Sequence, residues 1–316
     1  MNGSIETREL ITLEGEDGPV HGTLHAITGG GAAAQRPAVG VLFLNSLSLP
    51  RASTGDSAVY WADSLARAGY PTFRVDLPGL GDSAGQLPSN LLDFINGGGF
   101  AASGASIITQ LVERFHLPGM VLAGHCAGAV SALYTAARSP ECRGIILLDA
   151  YFHLLRAVRP PFRQMTSDWA LHSRMGRLAS NVYDHARQML LYLRGRDLPD
   201  NANHRLLRCW GELARGGMPV LILKAPARKA MGAGPRRGEF DYLQYVLKAA
   251  GKRSDVWVKL MEGADHSFAN RAGRDAVREQ MEIWLQSHFA PMNLIASSAA
   301  ATAGRAGQGR VVAAGV

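Results

Sequence analysis

Short apolar runs alternate along the chain with longer stretches whose apolar residues recur at helical spacing. That alternation predicts a mostly parallel sheet flanked by helices. Continuous apolar runs predict buried strands over residues 38–44, 71–75, 120–123, 145–148 and 220–223, while a last strand, 256–260, alternates apolar and polar positions. Ahead of them, residues 9–13 and 20–27 alternate about the turn Gly15-Glu16-Asp17-Gly18 and predict an edge hairpin. Helical patterns fall at 57–68, 105–115, 127–137, 240–249 and 275–288.

Two stretches break this rhythm. Between His153 and Gly217 no strand is evident, and Leu178, Val182, Met189 and Leu193 recur at helical spacing. This predicts a helical cap, residues 153–217, inserted into a core of residues 1–152 and 218–289. Residues 290–316 are rich in Ala, Gly and Ser with little to bury, which predicts a disordered tail.

Composition narrows the classes. At 47% hydrophobic and 19% charged over 316 residues, the chain can build a large core and is too apolar for a disordered protein. No apolar run reaches the roughly 18 residues of a membrane span. The start, MNGSIETREL, has no basic n-region or apolar h-region, and three scattered cysteines make no disulfide framework. A cytoplasmic enzyme is expected. The glycines at 29–31 belong to neither a Walker motif nor a dinucleotide fingerprint, and no Cys/His spacing suits a metal, so neither cofactor nor metal is expected.

The strongest chemical signal is Val121-Leu122-Ala123-Gly124-His125-Cys126-Ala127-Gly128-Ala129. A buried strand passes directly into a helix through Gly-x-Cys-x-Gly. Such a turn tolerates only small flanking residues and lifts its central side chain above the sheet, while the new helix N-terminus favours a thiolate and a neighbouring oxyanion. Cys126 is the candidate nucleophile; a small buried hydrophobe is the alternative.

Three motifs in order resemble the α/β-hydrolase fold over residues 5–288. The segment from Arg74 to Ser83 contains Asp76-Leu77-Pro78-Gly79-Leu80-Gly81-Asp82-Ser83 and is similar to the D-x-P-G-x-G-x-S turn after the fourth strand. Gly124-His125-Cys126-Ala127-Gly128 resembles the G-x-S-x-G elbow with Cys for Ser. Gly263-Ala264-Asp265-His266 resembles the late G-x-x-H loop. The resemblance implies an eight-stranded, mostly parallel sheet with a helical cap insertion, and His266 as general base. His125 and His153 are the other histidines placed to line the site.

The acid departs from the common pattern. Where many family members carry Asp after the seventh strand, this chain reads Leu223-Lys224-Ala225-Pro226. Asp149, ending the sixth strand, is the favoured acid, at a position resembling that of polyketide-synthase thioesterases. Glu239 is the alternative, unless neither serves; Glu239 and Asp241 also suit a helix start. A thiol ionises far more readily than an alcohol, so a Cys–His pair depends less on an acid. Oxyanion donors are expected from the Ala127 N–H and from Ser46 or Leu47 in the loop after the third strand, with Asn45 orienting that turn.

A cysteine elbow favours thioesters, whose exchange onto sulfur is nearly isoenergetic. The chain resembles most the thioesterase-like hydrolases of bacterial biosynthetic pathways, acting through a covalent acyl-enzyme. The rivals are an acyltransferase, cyclase or elimination (lyase) catalyst on the same fold, and a catalytically silent carrier-docking or ligand-binding module. Charge bears on the partner: the expected cap carries eleven arginines, no lysine and five acids, which accounts for +6 of the formal +7. Arginine suits phosphate and carboxylate, so an acyl carrier protein or a CoA thioester is the expected partner, and dispersed arginines without a recognition motif argue against nucleic acid. Tyr151, Phe152, Phe162, Trp169, Tyr183, Tyr192 and Trp210 are expected to pack the cap and line an acyl tunnel.

Overall fold

The N-terminal strands β1 (Ile5–Gly15) and β2 (Gly18–Thr28) form an antiparallel hairpin that closes with Gly15 opposite Gly18. The structure is a computed structural model that describes residues 5–28, 35–36, 39–154, 198–199, 201–226, 241–251, 254–290 and 292–293. After the hairpin come β3 (Gly40–Leu44), β4 (Thr72–Val75), β5 (Met120–His125), β6 (Cys142–Leu148), β7 (Val220–Lys224) and β8 (Val256–Leu260). They lie in the order β1-β2-β4-β3-β5-β6-β7-β8, antiparallel up to β2–β4 and parallel from β4 onward.

Helices cover both faces, which is why the central strands read as unbroken apolar runs. On one face Val41, Phe43, Val121, Ala123, Ile146 and Leu148 pack with α1 (Ser57–Arg67) and α7 (Arg271–His288), through Trp61, Leu65, Met281 and Trp284. On the other, Leu42, Leu44, Leu122, Ile145 and Leu147 pack with α3 (Ala101–Phe115), α4 (Ala127–Ala136), α5 (His204–Arg215) and α6 (Tyr242–Ala250). Every residue of α4 is buried. Strand β8 is an edge strand, exposed from Trp257 to Leu260, so the alternating burial expected of it is not seen. A short helix, α2 (Leu91–Asn96), was not anticipated by the periodicity.

The stretch expected as a cap divides in two. Residues 155–197 lie outside the described residues. Its end is α5, which packs in the same layer as α4 and α6: Trp210 is fully buried and its indole N–H donates to the Val246 carbonyl at 2.8 Å. Residues 294–316, most of the expected tail, also lie outside the described residues, while Met292–Asn293 pair with Gln35–Arg36. No helix among the described residues is long and apolar enough to cross a membrane.

Candidate active site

Strand β5 enters α4 through Cys126, whose backbone stands at φ 52° and ψ −112°. A residue with a Cβ adopts positive φ only where its surroundings enforce it. Here the Cys126 N–H donates to the Leu148 carbonyl at 2.9 Å, and the Cys126 carbonyl accepts from the Ala129 N–H at 3.1 Å. The flanking glycines make the turn possible. A Cβ on Gly124 would stand 2.6 Å from the Ala129 nitrogen, and one on Gly128 would stand 2.6 Å from the Asn45 carbonyl oxygen. As the first residue of α4, Ala127 has an N–H without an intrahelical acceptor. Cys126 is half-buried, whereas burial pushes the thiols of Cys142 and Cys209 up to about 12 and leaves them inert near neutrality.

The loop after β8 brings His266 over this elbow. Its Nδ1–H donates to Oδ2 of Asp149, and the ring lies close enough to Cys126 to feel its thiol. The bond to Asp149 first, then the neighbouring Cys126 thiol, raise the His266 pKa to about 10 against a smaller opposing effect of burial. Asp149 follows β6 at φ 45°, held by its N–H on the Leu223 carbonyl at 2.8 Å. Burial pushes its carboxyl up, but the hydrogen bond from His266 and the ion pair with Lys224 outweigh that and hold it below the usual carboxylate range.

Lys224, the last residue of β7, forms an ion pair with the other oxygen of Asp149 and lies 3.4 Å from the Ala150 carbonyl. Sequence reasoning registered only that this loop lacked an acid. The available signal was a lysine ending a buried apolar strand. His125 packs on the same loop: its Nε2–H donates to the His266 carbonyl at 2.6 Å, its ring lies 4.9 Å from the His266 ring, and burial lowers its pKa. Glu239 lies outside the described residues. Asp241 caps α6, accepting from the Gln244 N–H at 2.9 Å.

The loop after β3 stands beside the elbow. Asn45 clamps it: its side-chain N–H groups donate to the Leu49 carbonyl at 3.0 Å and to Asp76 Oδ1 at 2.9 Å, and its oxygen accepts from the Leu77 N–H at 2.7 Å. Ser46 is buried, and Leu47 sits at φ 52° and partly exposed. Asp76, fully buried, also accepts from the Arg51 N–H at 2.8 Å and pairs with the Arg51 guanidinium. Gly81 is required there, since at φ 51° a Cβ would stand 2.5 Å from Asp76 Oδ1. The Asp76–Ser83 turn is therefore a brace for the loop that carries Ser46 and Leu47.

A second buried polar cluster gathers around Asn96. The Tyr151 hydroxyl donates to the Asn96 side-chain oxygen at 3.3 Å, and the Asn96 carbonyl accepts from the Tyr134 hydroxyl at 2.9 Å and the Asn203 amide at 3.0 Å. His153 stacks on Tyr242 with ring centres 5.2 Å apart. Phe152 and Trp210 are core residues, packed edge to face at 5.6 Å, so they line no tunnel. Phe162, Trp169, Tyr183 and Tyr192 lie outside the described residues. Of the eleven arginines, Arg205 lies over the Tyr134 ring at 5.6 Å, Arg215 donates to the Gly211 carbonyl at 2.7 Å and Arg208 is exposed. The other eight lie outside the described residues. No group of three or more His, Cys, Asp or Glu among the described residues could hold a metal ion.

A family model for the alpha/beta hydrolase fold matches residues 41–200, just over half of the chain. The chain belongs to the α/β-hydrolase fold family. The matched span contains the braced turn, the elbow and Asp149, and ends before Lys224 and His266. An esterase of Pyrococcus furiosus is similar at 10% identity with a TM-score of 0.57, over 90% of this chain and 92% of that one. The protein TT1662 of Thermus thermophilus is similar at 17% and 0.52, over 89% and 99%. An acylaminoacyl peptidase of Pyrococcus horikoshii is similar at 12% and 0.53, over 90% of this α/β hydrolase but 42% of the peptidase. At such identities these likenesses establish the fold. No curated protein sequence matches the chain.

Proposed function

We propose that this chain is a cysteine-dependent, thioesterase-like α/β hydrolase that acts on an acyl thioester or activated ester in a biosynthetic pathway of the cytoplasm. The observation that carries the reading is Cys126 held at positive φ on the elbow beside His266, which is bonded in turn to Asp149. The Cys126 thiolate adds to the substrate carbonyl carbon, and the carbonyl electron pair moves to oxygen. That oxyanion is received by the Ala127 N–H and by the N–H of Ser46 or Leu47. As the intermediate collapses, the bond to the leaving sulfur or oxygen breaks and His266 supplies the departing proton. His266, now neutral, takes a proton from water as the water oxygen attacks the acyl carbon, and collapse of this second intermediate frees the acid and Cys126. Asp149 holds the proton on Nδ1 throughout, so that Nε2 exchanges protons at the reacting centre.

Thioesters suit this nucleophile because one sulfur replaces another at little cost, whereas an oxygen ester must climb to a cysteine adduct. The arginine-rich segment 153–217 fits an acyl carrier protein or a CoA thioester as the form in which substrate arrives. Intact mass after mixing with a panel of acyl thioesters is the direct test: an acyl adduct is expected in the wild type and absent in Cys126→Ala. Full turnover by Cys126→Ala with no adduct in the wild type overturns the reading. In labelled water, hydrolysis puts the label into the acid; a product without label assigns the chain to acyl transfer, cyclisation or elimination, and no turnover with any thioester or ester assigns it to carrier docking or ligand binding.

A further inference from the structure

The structure assigns Lys224 to the site as a positioning residue: its ammonium occupies the second oxygen of Asp149 and so sets how strongly that carboxylate engages His266. This deepens the Cys126–His266–Asp149 reading and rests on it. One carboxylate is shared by two cations on opposite oxygens, His266 from the loop after β8 and Lys224 from the end of β7. Lys224 is itself tethered across the β6–β7 gap by the Ala150 carbonyl. Ordinary partners for a second carboxylate oxygen are neutral N–H groups or water. A full positive charge there does more, because it draws on the same carboxylate charge that stabilises the imidazolium.

The groups facing His266 are Asp149 after β6, Lys224 on β7, Cys126 and His125 at the elbow, and Asp265 in its own loop. Lys224 adds a positive charge to this set, at the far side of the one carboxylate on the ring. Removing it leaves the imidazolium in a more negative field. The imidazole then holds its proton to higher pH.

The test compares wild type with Lys224→Met, which keeps the aliphatic stem, and Lys224→Arg, which keeps the charge. The His266 titration is followed by NMR of carbon-labelled histidine, assigned with His266→Asn. Lys224→Met is expected to move its midpoint upward by on the order of half a pH unit, and Lys224→Arg to stay with wild type. If Lys224→Met is folded and His266 titrates at the wild-type midpoint, Lys224 is merely structural and the inference is overturned. Lys224→Gln reads the same shift should the methionine variant fold poorly. A failure of the nucleophile reading looks different: Cys126→Ala turns over substrate while the NMR shift between wild type and Lys224→Met persists.

Discussion

Asp149→Asn offers a sharp test of the site because Lys224 determines which way the new amide points. The substitution keeps volume and hydrogen-bonding atoms but removes the charge. An ammonium has only donors, so Lys224 takes the amide oxygen, and the amide NH2 turns toward His266 Nδ1. That nitrogen must then accept, which forces the proton onto Nε2, the nitrogen that has to receive the thiol proton. A histidine in this tautomer cannot take the thiol proton. The imidazole also loses the first contributor to its raised pKa of about 10, so it returns toward its ordinary value. Together these should cost on the order of 10³-fold in turnover, about 4 kcal/mol in the barrier. Folding should survive, because Lys224 is about a third exposed (34%) and water can solvate the unpaired ammonium. Adding Lys224→Met removes what selects the amide orientation, lets the side chain flip, and should recover roughly tenfold by restoring the Nδ1–H tautomer. Thioester turnover and iodoacetamide alkylation of the four proteins give the cycle. If Asp149→Asn keeps more than about a tenth of wild-type turnover, or the double variant is no faster than the single one, the orientation argument fails.

Gly124→Ala should destabilise by roughly 3 kcal/mol or more, because its Cβ meets helix backbone that cannot retreat, whereas Gly217→Ala, with open space around it at φ 78°, should cost only about 1 kcal/mol; urea denaturation of the pair checks the contrast. Asn45→Ala leaves the buried Asp76 short of one donor and the Leu77 N–H without its acceptor, so a loss of about 2–4 kcal/mol in chemical denaturation is expected, together with slower acylation as the loop carrying Ser46 and Leu47 loosens. Stability should also depend on pH through His266. Its folded value, about 10, lies above its unfolded one of about 6.5, so its contribution is complete below the unfolded value and disappears as pH rises toward 10. The thermal midpoint should therefore fall across that window in wild type and fall less in His266→Asn; equal slopes would show that the imidazole gains nothing from Asp149.

The sheet was legible in the sequence because burial on both faces leaves an unambiguous mark. Runs such as residues 145–148 send Ile145 and Leu147 to one layer and Ile146 and Leu148 to the other, so no polar position interrupts them. The elbow was legible because Gly124 and Gly128 are demanded by backbone contacts that no Cβ could share. Helix α5 was harder to place, since an amphipathic helix that closes the sandwich has the same periodicity as one lying over the site; only its neighbours α4 and α6 separate the two. The six-residue α2 is too short to show a period. Lys224 was missed for a different reason. Its meaning depends on which strand lies next to β7, and strand order is a three-dimensional fact.

That neighbour relation also accounts for the departure at the acid position. The resemblance to α/β hydrolases implies an acid after the seventh strand; here β7 ends in Lys224 while Asp149 follows β6, the strand hydrogen-bonded between β5 and β7. A carboxylate after β6 is one strand nearer the elbow, and the Cys126 N–H bond to the Leu148 carbonyl locks Cys126 to the residue just before Asp149. The move leaves a carboxylate almost fully buried, which is costly for a charge with a single partner. Lys224 supplies the second partner from the position the acid vacated in register. Acid and lysine are then a coupled pair, and replacing either alone should be more damaging than exchanging both for an uncharged pair of similar volume. Asp149→Asn with Lys224→Met, compared with each single change in stability rather than turnover, decides this: a coupling energy near zero in the double-mutant cycle would mean that the two charges reached adjacent strands independently.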